Sequence, residues 1–159
     1  MINVTSKVKL RDLVEAMDTQ TDYHIDFINI KSGEIVSITN EIFNVAEDTE
    51  PFDNKLPDWQ QEELKLAHEI LDNENQYIEL PSKFDINEYK MMEDFCYNFD
   101  NSQVQSDLLQ AIRGRGAFRR FKDKLIKLGL DQEWFNFRDE RYKEIAIELC
   151  NNHDLEYED

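Results

Sequence analysis

Glycine, proline and cysteine are scarce in this chain of 159 residues, which has only four, three and two of them. So few breakers leave room for long helices. Cys96 and Cys150 stand alone on helical patterns, which excludes a disulfide framework and a CxxC metal or redox motif, so both are expected to be buried and inert. Long apolar runs are also missing. Residues 1–20 hold only scattered apolar positions, among them Val8, Leu10, Leu13 and Val14, so neither a signal peptide nor a membrane anchor is expected and the cytoplasm is the expected compartment. Basic residues are the last shortage: 18 Lys and Arg stand against 35 Asp and Glu, a net charge of -17. A field of that sign repels nucleic acid and anionic membranes, and argues against both as partners.

What is present is enough for a folded core. Forty per cent of the residues are hydrophobic, with ten Phe, six Tyr and two Trp, too many for disorder. The length fits a single domain over 1–159. Leu10, Leu13, Val14 and Met17 follow helical spacing and predict a first helix over about 7–18. Two alternating runs then predict a β-hairpin over about 22–40, turning at Lys31, Ser32 and Gly33. A lone hairpin is marginal in water, so it is expected to pack on helices.

A polar stretch over about 47–58, with five acidic residues, reads as a linker, and the helical part is expected over about 58–150. Pro57 suits a helix start, with Trp59, Leu66, Ala67 and Ile70 facing inward to about Asn73. Tyr77 to Leu80 reads as a short extended run. Asp85 and Glu88 read as a capping box for a helix carrying Met92, Phe95 and Phe99, and Ser102 as the cap of another carrying Val104, Leu108, Ala111 and Ile112. The expected fold class is therefore α+β and mainly helical, an N-terminal β-hairpin packed against a bundle of five or six helices.

Residues 113–127 break the acidic rule. RGRGAFRRFKDKLIK holds seven basic residues and one acidic one, a net +6, which leaves -23 on the rest. On a helix starting near Ala117, the residues Phe118, Phe121, Leu125 and Leu128 are expected to face the core, with Gly129 as the stop. Two readings compete. Gly114 and Gly116 could let the backbone approach an anion at a helix N-terminus, with Arg113, Arg115, Arg119 and Arg120 adding charge-assisted bonds. The plainer reading is that these cations neutralise surrounding carboxylates. The spacing is no nucleotide-binding fingerprint.

Arg138 is the second anomaly. If residues 131–150 form one helix, Arg138 lies at the centre of a face made by Trp134, Tyr142, Ile145 and Leu149. A guanidinium there needs a partner. It is expected to pair with a carboxylate from another element, the alternative being a polar pocket lined by Arg113, Arg115, Arg138 and Trp134. Elsewhere the chemistry is thin. His24 and Asp26 share one strand face, but His24, His68 and His153 have no metal-ligand spacing, and neither a nucleophile elbow nor a calcium loop occurs. No cofactor or metal is called for, and the balance leans away from an enzyme.

AIRGRGAFRRFKD and WFNFRDERYKEIAIE, within Leu109 to Leu149, together with YIELPSKFDINEYKMMEDFC from Tyr77 to Cys96, resemble the uncharacterised bacterial protein family numbered 0158 of the UPF series. The resemblance covers most of the chain. It implies a single-domain cytoplasmic protein and carries over no activity, cofactor or catalytic residue. The expected function is a non-enzymatic acidic interaction module binding a basic protein partner. The alternative is a small anionic-ligand binder or enzyme built around Arg113 to Arg120, Arg138 and Trp134.

Overall fold

The computed structural model describes residues 7–48 and 56–159. The fold class is α+β and mainly helical. The described residues form two compact units: one runs through Ser82 and takes in Ala146–Asp159, the other is Lys83–Ile145.

In the first unit, β1 (Val8–Lys9) leads directly into α1 (Leu10–Asp18), and β1 pairs in parallel with β5 (Tyr157–Glu158). The first helix therefore starts at Leu10 and not near residue 7, because Val8 and Lys9 are held extended by that ladder. Leu10, Leu13 and Met17 are buried, as their spacing predicts. The hairpin is present as β2 (His24–Asn29) and β3 (Ile35–Thr39), with Gly33 at φ 75° in the turn, a conformation that costs a glycine little. The run after Tyr77 is β4 (Tyr77–Glu79), which adds to the free edge of β2 and makes an antiparallel sheet of order β3-β2-β4.

The register gives the sheet two distinct faces. Ile25 sits opposite Ile38 and Phe27 opposite Val36, and this face packs on α2 (Asn40–Asp48) and α3 (Asp58–Asp72) through Ile42, Ala46, Leu64, Ala67 and Ile70. Helix α2 has no counterpart in the sequence reading. It absorbs Glu47 and Asp48 from the expected linker, of which residues 49–55 lie outside the described residues. On α3 the inward stripe is Leu64, Ala67 and Ile70. Trp59 is 68% exposed, so its expected place in the stripe is corrected: it sits in the first turn, two residues past Pro57. The second sheet face sets His24 opposite Thr39, Asp26 opposite Ser37 and Ile28 opposite Ile35.

The second unit contains α4 (Lys83–Ile86), α5 (Glu88–Tyr97), α6 (Ser102–Ala111), α7 (Ala117–Leu128) and the first part of α8 (Asp131–Asn152). Two caps differ from expectation by one or two residues. Asn87, in the left-handed region at φ 55°, accepts from the Lys90 amide at the start of α5, which leaves Asp85 within α4 and Glu88 free for other work. Asn101, not Ser102, caps α6 by accepting from the amides of Gln103 and Val104. The core of this unit is aromatic. Phe95 meets Phe99, Phe121, Trp134 and Phe137 edge-on at centroid distances of 5.0–6.1 Å. Cys96 and Cys150 are both buried thiols, and burial pushes Cys96 up to about 11 and raises Cys150 as well. Among the described residues no helix is long and apolar enough to cross a membrane.

Candidate functional site

The basic segment opens with a loop of two glycines, Gly114 at φ 75° and Gly116 at φ 77°. Gly116 occupies the N-cap position of α7 and offers no side chain to cap it. Arg120, one turn into the helix, folds back over this loop. Its Nε donates to the Ala111 carbonyl at 3.0 Å, and its two terminal nitrogens donate to the carbonyls of Arg113 and Arg115. A Cβ on Gly116 would lie 3.1 Å from Arg120 Nη1, so close approach as well as φ favours glycine there. Arg120 is thus a structural clamp, with three of its five N–H donors on backbone carbonyls.

The other cations of the segment are arranged differently. Arg113, Arg115, Arg119, Lys122, Lys124 and Lys127 make no ion pair among the described residues. Internal neutralisation, the plainer expectation, therefore finds no ion pair at these six positions. Ala117, Phe121 and Leu125 form the buried stripe of α7. Phe118 is 50% exposed and Leu128 is also exposed, which corrects the expected stripe. Phe118, Lys122 and Ile126 instead lie four residues apart along the outer side, with Ile126 67% exposed. Arg113 lines a shallow pocket with Ser102, Gln105 and Ser106, and Arg120 lines another with Asp107, Asp123, Lys124 and Lys127.

Arg138 found the partner its position demanded. Its Nε donates to Glu88 Oε1, Tyr142 donates its hydroxyl proton to the same oxygen at 3.0 Å, and the guanidinium stacks 4.4 Å from the Tyr142 ring centre. The pair is only 22% and 23% exposed. Arg141 behaves alike, donating to Asp94 at 2.9 Å and lying over the Phe137 ring. Burial acts to raise Asp94, but Lys90 and Arg141 together outweigh it and hold the carboxyl below the usual carboxylate range. Trp134 is buried between Phe95 and Phe121. Of the eight candidate site residues, Arg113, Gly114, Arg115, Gly116, Arg119 and Arg120 therefore come together at the head of α7, whereas Arg138 and Trp134 are engaged in packing.

The first unit holds a feature the sequence reading passed over. A cleft of about 830 Å³ is walled by the second face of the sheet, with His24, Asp26, Ile35 and Ser37, and by the polar side of α1, with Asp12, Glu15, Ala16 and Thr19. Asp26 is the one buried charged residue among those described, 8% exposed. Ser37, its cross-strand partner, donates to Asp26 Oδ1. His24 Nδ1 meets Thr21 Oγ1 at 2.5 Å. The signal was available: His24 and Asp26 alternate on one strand face, and Asp12, Glu15 and Thr19 sit at i, i+3 and i+7. What the sequence lacked was the hairpin register, which puts Ser37 beside Asp26.

Comparison with known proteins bears on the whole of this chain. The family model described as uncharacterised protein family (UPF0158) matches residues 5–158. The chain belongs to this family. It is the family that the segments Tyr77 to Cys96 and Leu109 to Leu149 resemble, and the match covers nearly the whole chain. No curated protein and no solved structure matches the chain.

Proposed function

We propose that the protein is a non-enzymatic interaction module that binds a protein partner, in the cytoplasm of a bacterium. The observation that carries this reading is the outer side of α7, where Phe118 and Ile126 stand exposed beside Arg119 and Lys122, and these cations have no ion-pair partner among the described residues. Apolar anchors flanked by free cations suit a partner segment that offers carboxylates beside an apolar side chain. The acidic remainder, carrying -23, suits a basic partner; that part rests on charge alone. Two patches of opposite sign on one small protein favour orientation of a partner over raw affinity.

The test uses the full chain as bait in native lysate. A partner recovered at low salt and lost at high salt is expected, and the double variant R119E/K122E should lose it while D139N, an acidic position on α8, keeps it. Retention by R119E/K122E would sink the role of α7. A second reading, a small anion at the head of α7, is favoured by one observation: Gly116 leaves the first amides of α7 without a side-chain cap, beside Arg113, Arg115 and Arg119. Titration with inorganic phosphate separates the two, since a pocket would shift the Gly116 and Ala117 amide resonances saturably and a protein-docking face would not.

A further inference from the structure

We propose that the partner of α7 is a second copy of this chain, whose exposed Trp59 packs on Phe118 and Ile126 while its Asp58 and Glu62 meet Arg119 and Lys122. The proposal rests on the reading of α7 as a docking face and names what docks there. At helical spacing Phe118, Lys122, Ile126 and Arg119 fall within an arc of about 100°, so two apolar groups and two cations open on one side of the helix. Both apolar groups are at least half exposed. Arg119 and Lys122 stand three residues apart, within one helical turn, and form no ion pair among the described residues.

The start of α3 carries the complementary set. Asp58 and Trp59 open its first turn, and Glu62 follows one turn after Asp58. Trp59 is 68% exposed, and Asp58 and Glu62 are exposed on either side of it in sequence. Neither acid forms an ion pair among the described residues, whereas Glu63, the next acid along, accepts from the Thr39 amide. Tryptophan is the residue type most often found as the anchor of an interface, and two acids one turn apart match two cations one turn apart. Phe135 on α8, 53% exposed between Asp131 and Asp139, offers similar chemistry. It fits less well. Its ring is smaller, and its two acids stand about two turns apart, too far to meet Arg119 and Lys122 together. Every copy holds both surfaces, so each molecule both offers Trp59 and receives it.

The experiment is sedimentation equilibrium of the full chain at about 0.15 M salt, where a Debye length of about 8 Å screens the charge of -17 on each copy more than it weakens touching pairs. Self-association with a Kd of about 100 µM or tighter is expected. R119E/K122E makes α7 acidic and D58K/E62K makes the start of α3 basic, so each variant alone sets like charges against each other and should associate at least about tenfold more weakly. Mixed in equal amounts, the two variants match at both contacts and should recover the wild-type affinity to within about threefold. D139K/E140K makes the same charge change beside Phe135 and should leave association intact. Should D58K/E62K fail to fold, W59A serves: it should weaken association at least about tenfold. A monomeric wild type, a mixture no tighter than its components, or a loss in D139K/E140K that D58K/E62K does not show would overturn the proposal. A monomeric wild type whose lysate partner is a different protein, lost in R119E/K122E, overturns the second copy alone and leaves α7 as a docking face.

Discussion

Arginine meets two opposite fates in the second unit. On α8, Arg138 and Arg141 are each tied to a carboxylate from α5, Glu88 and Asp94, and each also lies over an aromatic ring. On α7 and the loop before it, Arg113, Arg115 and Arg119 form no ion pair with a carboxylate among the described residues, acidic as the chain is. The difference is placement. α8 sets its arginines at the edge of an aromatic core, where an unpaired guanidinium is costly and α5 brings acids within reach. α7 sets its cations outward, where water solvates them and nothing requires a partner. Acidic excess alone does not neutralise a basic segment; only position does.

Substitutions can break this contrast, beginning with the largest effect. R138A should destabilise the protein by about 2 kcal/mol, because it strands Glu88 and removes a partly buried charged hydrogen bond. Urea unfolding measures it, and R138A/E88A should cost less than the sum of the two single changes. G116A comes next at about 1–2 kcal/mol, from the positive φ and the crowding of Arg120. R120A should cost about 1 kcal/mol, and its amide exchange should quicken at residues 113–116 and little elsewhere. A smaller, pH-dependent effect belongs to Asp94. Its folded value lies below the ordinary 3.8, so its contribution is present above 3.8 and is lost as pH falls further; in D94N that acid-dependent part of the unfolding curve should disappear. R119A, at the exposed end of the comparison, should change stability by no more than about 0.5 kcal/mol. A loss as large as that of R138A would show that α7 is neutralised after all.

Much of this arrangement is legible in the sequence. The Arg138 anomaly follows from helical periodicity and the cost of burying charge, and both hold regardless of which carboxylate answers. The hairpin and its glycine turn are equally local. What escaped depends on distant pairing. Val8 and Lys9 continue a helical pattern, yet a ladder with Tyr157 and Glu158 holds them extended. Phe118 fits an inward stripe by spacing, but the stripe that packs is centred on Phe121, with Ala117 and Leu125 as its flanks. Glu88, three residues after Asp85, fits a capping box by spacing; Asn87 takes the cap and leaves Glu88 to Arg138. The cleft beside Asp26 needed the strand register, since a shift of one residue would have turned Ser37 away.

The clamp made by Arg120 bears on how a protease would treat this loop. Trypsin cleaves after arginine, so Arg113 and Arg115 look vulnerable on an exposed, glycine-containing loop. The carbonyls of Arg113 and Arg115 are the very groups such an enzyme must polarise, and Arg120 already holds both. Cleavage therefore has to wait for the guanidinium to let go. The rate of nicking after Arg113 or Arg115 becomes a clock for the opening of a single side chain, read from a gel band.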